Sequence, residues 1–396
     1  MNFFLNLKID NLTMEDIPLI KSKTTIKLIT ILTLAFSLSA GNLTAQNSAV
    51  QSSAVPFLMI SPDARAGGMG EVGTALADDV NAVYWNPGGL AFLDYFDYGY
   101  TFDDEGTKTP FRQVALAFSP WLPQFNADLY YSYGTIAQHF EELDGTVAFN
   151  LIYMNLGEFR RTLLNGQQSG TFISNEFSLG FSYGTIIAPD LGFGFQLRYI
   201  QSNLTPTGGG GGGGGQSGTG ISGGFDVGLL WKPSDLQVLG LDMQDRLSLG
   251  ANLQNVGPKM TYINEADPLP TNLKLGVAYD VVNDEFNKLT FAFDYTKLLV
   301  NRTRNGSDPI PLSFVSSWEN NAMEYALGTE YWYEDVIALR AGYFTEPDNA
   351  GARKFWTFGA GVRYDIFRLD FSFINTIEEN HPLANTLRFS LLADWE

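Results

Sequence analysis

From residue 111 to the C-terminus, apolar residues return at every second position in segments about 9–13 residues long. In RLSLGANLQNV (246–256), Leu247, Leu249, Ala251 and Leu253 take one face, with Ser248, Gly250, Asn252 and Gln254 on the other. A period of two is the side-chain period of a β-strand. GFGFQLRY (192–199), NLKLGVAY (272–279), LTFAFDY (289–295) and EFSLGFSY (176–183) repeat it. The apolar row is nearly pure and often closes on Tyr or Trp, whereas the opposite row is small or polar. A soluble sandwich also alternates, but its strands average about 5–6 residues. The segments here approach the length a tilted strand needs to cross a bilayer, and their aromatic ends suit membrane-interface girdles.

Strands are expected near 112–119, 127–138, 145–157, 173–185, 190–203, 221–232, 246–256, 271–282, 288–298, 322–332, 335–344, 355–365, 367–376 and 386–395. The gaps 158–172, 204–220, 257–270 and 299–321 are long and follow odd-numbered strands. Gaps after even-numbered strands are mostly short (186–189, 333–334, 366), with 233–245 the exception. Long loops on one side and tight turns on the other mark a bacterial outer-membrane barrel. The expected fold is therefore all-β: a transmembrane antiparallel β-barrel of about fourteen strands over 111–396, with both termini periplasmic. The last strand, TLRFSLLADWE, alternates to the end and resembles the C-terminal signal read by barrel-assembly machinery, with its aromatic penultimate.

Residues 1–45 read as a signal peptide with a long n-region. Lys21, Lys23 and Lys27 precede the apolar run LITILTLAFSL (28–38), which is too short to span a membrane and is followed by small residues up to Ala45. Cleavage after Ala45 is expected, Ala40 being the second choice, and translation starting at Met14 would give a more usual n-region. The chain has no cysteine, which excludes disulfides, thiolate metal sites and a Cys nucleophile. A net charge of −19 argues against a nucleic-acid partner.

Residues 46–110 do not alternate. Within ADDVNAVYWNPGGLAFL (77–93), Leu76, Val80 and Tyr84 follow helical spacing before Asn86-Pro87-Gly88-Gly89 breaks the helix. A barrel wider than about eight strands leaves a channel unless something fills it. This small-residue segment, with a short helix and a rigid turn, is expected to plug the lumen, and the aromatic stretch 94–103 is assigned to the entry region.

Other features support no chemistry. GMGEVG (68–73) matches a dinucleotide fingerprint but lacks the flanking strand and βαβ unit, so its glycines are read as close-packing positions. His139 and His381 fall in connections on opposite sides of the barrel, too far apart for a triad or a two-His metal site. Asp78-Asp79 and Glu141-Glu142-Asp144 are read as solvated or capping groups rather than cation ligands. Gly208 to Gly215, eight consecutive glycines, read as a flexible spacer. No enzyme activity, cofactor or metal is expected.

The segment PFLMISPDARAGGMGEVGTALADDVNAVYWNPGGLAF (56–92) resembles the N-terminal signature of the PorV/PorQ family, a branch of the FadL-like barrels. Further similarity runs through LPTNLKLG (269–276), YALGTEYWYED (325–335), ALRAGYF (338–344) and ANTLRFSL (384–391), with ISPDARAGGMGE and LPTNLKLG favouring the PorV branch. The resemblance identifies Asp63, Arg65, Gly67, Gly68, Asp79, Asn81, Trp85, Asn86 and Pro87 as a hatch motif. It implies an outer-membrane component of the type IX secretion system that binds the C-terminal signal domain of secreted cargo. The implied partners are the translocon barrel, the cargo, a sortase-like attachment complex and outer-membrane lipids. Two alternatives stay open: a FadL-type transporter of hydrophobic small molecules, and a structural barrel or scaffold. The inward faces, rich in Gly, Ser, Asn, Gln, Lys and Arg, argue against a greasy tunnel.

Overall fold

The computed structural model describes residues 52–395 apart from 94–111, 126–127, 163–165, 205–217, 239–240, 263–264, 304–305, 348–350 and 380. The signal peptide, the 94–103 stretch and the eight-glycine run lie outside the described residues.

Fourteen strands form one closed antiparallel barrel in chain order. They are β1 (Arg112–Pro120), β2 (Tyr130–Phe140), β3 (Gly145–Thr162), β4 (Gln168–Ala188), β5 (Leu191–Asn203), β6 (Thr219–Trp231) and β7 (Leu247–Val256). Then follow β8 (Asn272–Asn283), β9 (Asn287–Leu298), β10 (Met323–Tyr333), β11 (Ile337–Thr345), β12 (Lys354–Tyr364), β13 (Phe367–Thr376) and β14 (Leu387–Trp395). β1 pairs with β14 from Arg112↔Trp395 to Phe118↔Phe389, which closes the barrel on itself. The alternation sorts as expected. Leu116, Phe149, Leu197, Leu339 and Leu369 point outward and are exposed, whereas Asn150, Gln196, Arg198, Asn252, Arg340 and Arg388 are buried in the interior. Outward aromatics pair across strands, among them Tyr295 with Tyr325 (5.6 Å between centroids) and Tyr343 with Trp356 (4.7 Å).

Two expectations about connections change. Residues 158–172 are not an open loop. β3 and β4 run 18 and 21 residues and pair with each other as far as Thr162↔Gln168, whereas their other neighbours stop at Asn155 and Asn175. A two-stranded ribbon thus continues past the barrel, bulged after Asn155 and carrying Phe159 stacked on Phe172. Aromatic and β-branched residues here pair across the ribbon although no second layer buries them. His139 lies within β2 rather than in a connection, its Nδ1 3.3 Å from the Thr146 hydroxyl, far along the barrel from His381 in the β13–β14 loop.

Residues 52–93 lie inside the barrel. They comprise a 3-10 turn (Pro56–Met59), helix α1 (Ala64–Gly67), helix α2 (Ala82–Trp85) and a 3-10 segment (Pro87–Phe92). The helix suggested by Leu76, Val80 and Tyr84 is only the single turn of α2. Upstream of it the backbone makes tight turns (Leu76 N–H to the Gly73 carbonyl, Asp78 N–H to the Leu76 carbonyl) and bonds to the wall: Gly73 and Thr74 N–H donate to Asp294 (2.9 Å each) and Val80 N–H to Gln113 (2.5 Å). The segment enters at the long-loop mouth, where Ala54 N–H donates to the Pro268 carbonyl (2.8 Å) and Arg302 to the Ser52 hydroxyl (3.0 Å). It ends at the short-turn mouth, where Phe92 stands 5.3 Å from the Lys232 ammonium. The free ends of β1 and β14 share the short-turn mouth, as an even strand count requires. The expectation that both termini lie on one side does not extend to the segment at residue 52, because the plug threads the lumen in the opposite sense.

Candidate functional site

The site is the seat of this segment in the barrel wall, together with the mouth above it. Its first element is electrostatic. Arg65, in α1, reaches Glu330 of β10 (2.8 Å), and Glu330 accepts from Arg340 of β11 (2.6 Å). Arg340 holds Asp370 of β13 (2.8 Å), and Asp370 accepts from Arg368 (2.9 Å). Arg368 returns to the plug at Asp79 (2.5 Å), which lies 3.4 Å from Arg65, with Asp78 paired to the same guanidinium. Charges therefore alternate round a closed, largely dry ring, in which each buried ion has partners on two sides. A separate tie joins Glu71 to Arg388 of β14 (2.7 Å). Of the solvated-or-capping reading of Asp78-Asp79, the solvated half is therefore corrected, while Asp79 does accept from the Asn81 N–H at the start of α2. Strand pairing brings to Asp79 an arginine 289 positions away.

The second element is steric. Inward glycines on eight strands lie against the plug: Gly184, Gly194, Gly228, Gly250, Gly276, Gly328, Gly342 and Gly359. Several are direct cross-strand partners: Gly184↔Gly194↔Gly228, Gly250↔Gly276 and Gly328↔Gly342. A Cβ at Gly194 would sit 2.1 Å from the Pro87 carbonyl oxygen, and one at Gly342 2.0 Å from Gly70 N. The plug backbone thus rests against a girdle of bare wall backbone. The sequence reading noted small inward residues. Their grouping into paired runs against the plug comes only from the strand register.

The third element holds the plug to itself. Asp63 caps α1, accepting from Ala66 N–H (2.8 Å), and its other oxygen accepts from the Trp85 indole N–H (2.7 Å). Trp85 meets Tyr84 edge-on at 5.0 Å, and the Lys274 ammonium stands 4.8 Å from its ring centroid. Asn81 contributes main chain, its N–H donating to Asp79 (2.8 Å) and its carbonyl accepting from Tyr84 (2.9 Å). Asn86, fully buried, donates from Nδ2 to the carbonyls of Thr74 and Leu229 (2.9 Å each) and accepts from Gly88 N–H (3.1 Å). Pro87 opens the following 3-10 turn and packs on the Gly194–Gly228 patch. Gly67 lies beneath Arg388 and Gly68 against Gly359, neither with room for a Cβ. All nine predicted residues thus fall inside the barrel. Glu330, Arg340, Arg368, Asp370, Arg388 and the glycine girdle had no local signal.

Beside the plug, toward the long-loop mouth, a cavity of about 20 Å³ is lined by Glu71, Lys274, Asp294, Thr296 and Glu324 together with Met59, Trp85, Ala326 and Phe344. Its size suits about one water and its lining is largely polar. Above it, ribbon Met260–Tyr262 with Glu265–Asp267 folds inward, placing Met260 in a core with Phe57, Leu58, Tyr131 and Trp85. The β9–β10 loop carries ribbon Arg302–Thr303 with Gly306–Ser307 and helix α3 (Ile310–Ser316). In it Asp308 accepts from Ser316 (2.6 Å) and Asn301 (2.9 Å), hydrogen bonds that hold its carboxyl below the ordinary range.

A model of the family described as type IX secretion system protein PorV matches residues 43–305. No curated protein matches the chain. Among solved structures, the barrel is similar to the toluene transporter TodX of Pseudomonas putida, with TM-score 0.48, 12% identity and coverage of 84% of this chain and 96% of that one. It is also similar to the toluene transporter TbuX of Ralstonia pickettii (0.46, 11%, 84% and 96%) and to a Pseudomonas aeruginosa FadL homologue (0.44, 15%, 85% and 98%).

Proposed function

The chain belongs to the PorV family of type IX secretion system proteins, and on that premise we propose that it is a plugged outer-membrane barrel that works at its outer mouth. There it binds the C-terminal signal domain of secreted cargo and carries it from the translocon barrel to a sortase-like attachment complex. The observation that supports this reading is the filled lumen. Among the described residues, a segment held by a charge ring, a glycine girdle and Asn86 leaves a small, largely polar cavity beside it, which offers little attraction for hydrocarbon. What remains available for recognition is the long-loop mouth, with the β3–β4 ribbon and the loops 257–271 and 299–322. In this reading the short turns and the free ends of β1 and β14 face the periplasm, residue 52 faces outward, and the barrel performs no covalent step.

Affinity purification of the tagged protein from gently solubilised outer membranes, followed by mass spectrometry, tests it. Recovery of secreted proteins that share a C-terminal β-domain, or of a very large translocon barrel, is the expected result. Recovery of the barrel alone with hydrocarbon or lipid inside would favour the transporter.

A further inference from the structure

Helix α3 and the turn after it, IPLSFVSSWE (310–319), are amphipathic in the opposite sense to a loop helix in water. Ser313 and Ser317 are turned into the protein, 4% and 0% exposed, whereas Leu312, Val315 and Trp318 are 53%, 74% and 50% exposed. Spaced by three, these apolar residues share one face.

The position of that face follows from Lys297. In β9 the outward row runs Phe291, Phe293, Tyr295 and Lys297, and Lys297 pairs with Leu273 of β8 and Met323 of β10, both in outward rows. Lys297 is nevertheless fully buried. Its ammonium donates to the carbonyl and the side-chain oxygen of Asn320 (2.8 and 2.9 Å) and stands 5.8 Å from the Trp318 ring. A lysine on the lipid-facing row is thus covered from outside by the end of the β9–β10 loop, directly above the tyrosine pair Tyr295 and Tyr325. The loop overhangs the outer wall at its rim, and its apolar face continues the bilayer-facing belt.

We propose that Leu312, Val315 and Trp318 insert into the outer leaflet, and that this overhang anchors the barrel's outer rim in lipid. Buried polar and exposed apolar residues are the distribution expected where the surrounding medium is hydrocarbon. Lys297, satisfied by Asn320, lets the row end in a cation without exposing it to the acyl region.

The chain lacks cysteine, so single-Cys variants of the full barrel can be labelled cleanly with an environment-sensitive fluorophore and reconstituted in phosphatidylcholine vesicles. Val315→Cys is compared with Leu327→Cys in the belt and Glu265→Cys in an exposed loop. Heat-modifiable migration restricts the comparison to folded barrels. The expected result is a blue-shifted emission at 315, quenched by brominated lipid to nearly the extent seen at 327. Emission and quenching at 315 that match position 265 would overturn the proposal. A label that is aqueous in vesicles and shielded only when the translocon is added would overturn it too, in favour of a protein-binding face.

Discussion

Asn86→Ala is the sharpest perturbation of the plug, because one fully buried side chain ties together two plug segments and the barrel wall. The substitution removes the hydrogen bonds to the Thr74 carbonyl, the Leu229 carbonyl and Gly88 N–H. At about 1 kcal/mol net for each hydrogen bond, the loss is about 3 kcal/mol. At about 1.4 kcal/mol per tenfold, the population in which the turn has left its seat rises about a hundredfold. The barrel ladder itself is untouched, so heat-modifiable migration should persist. The assay is cleavage of residues 52–93 by an added protease in the folded, reconstituted barrel, which reports the open population when reclosing is fast. Single-channel conductance and sensitivity of cells to a large antibiotic give a second readout. Asn86→Asp should be at least as damaging, since a carboxylate would then face two carbonyl oxygens with no proton to offer. Joint replacement of Asn86-Pro87 by Ala-Ala should exceed Asn86→Ala only slightly, because Pro87 adds mainly rigidity. A folded Asn86→Ala barrel with wild-type cleavage and conductance would refute the clamp.

Other outcomes follow from the same geometry. Gly342→Ala and Gly194→Ala place a Cβ about 2 Å from plug backbone and should each cost about 1–3 kcal/mol of plug docking, read by the same cleavage assay. Gly223→Ala, on the outward face with its nearest neighbour at 3.6 Å, should change nothing. Glu330→Gln leaves Arg65 and Arg340 sharing a neutral partner and should destabilise the ring by about 3–5 kcal/mol, lowering the temperature of the heat-modifiable shift. Ser52→Cys should react with a membrane-impermeant maleimide on intact cells, and labelling only after outer-membrane rupture would reverse the assigned orientation. Asp308, held below its ordinary pKa by Ser316 and Asn301, favours the ordered loop while ionised. That contribution is complete above about pH 4 and is lost as pH falls through the lowered pKa. A spin label at Val315→Cys should therefore gain mobility at low pH, and Asp308→Asn should abolish the change.

The fourteen strands were legible because their evidence is local. Alternation in RLSLGANLQNV or GFGFQLRY records two media, lipid outside and a polar interior inside, and each residue type reports its own medium without reference to the rest of the chain. Asn86-Pro87 and the small residues of 63–73 marked a compact non-strand segment for the same reason, since backbone restriction and small volume are properties of the residues themselves. Limits appeared wherever a partner lies far away. The β3–β4 ribbon beyond Asn155 is a different case: its partners are near in sequence, but Gly157, Gly166 and Gly170 and its charged residues read as a loop, and only the pairing shows a strand. Leu76, Val80 and Tyr84 kept helical spacing, yet Gln113 took the Val80 N–H that would have made the first bond of such a helix. Asp78 and Asp79 looked solvated because Arg65 meets them only once the plug folds, and Glu330, Arg340, Arg368 and Asp370 join them only from the barrel wall. The glycine girdle and the direction in which the plug threads the lumen are likewise properties of register and closure. Periodicity determined which residues face lipid and which face the lumen, and the closed sheet alone decided which of the inward ones meet.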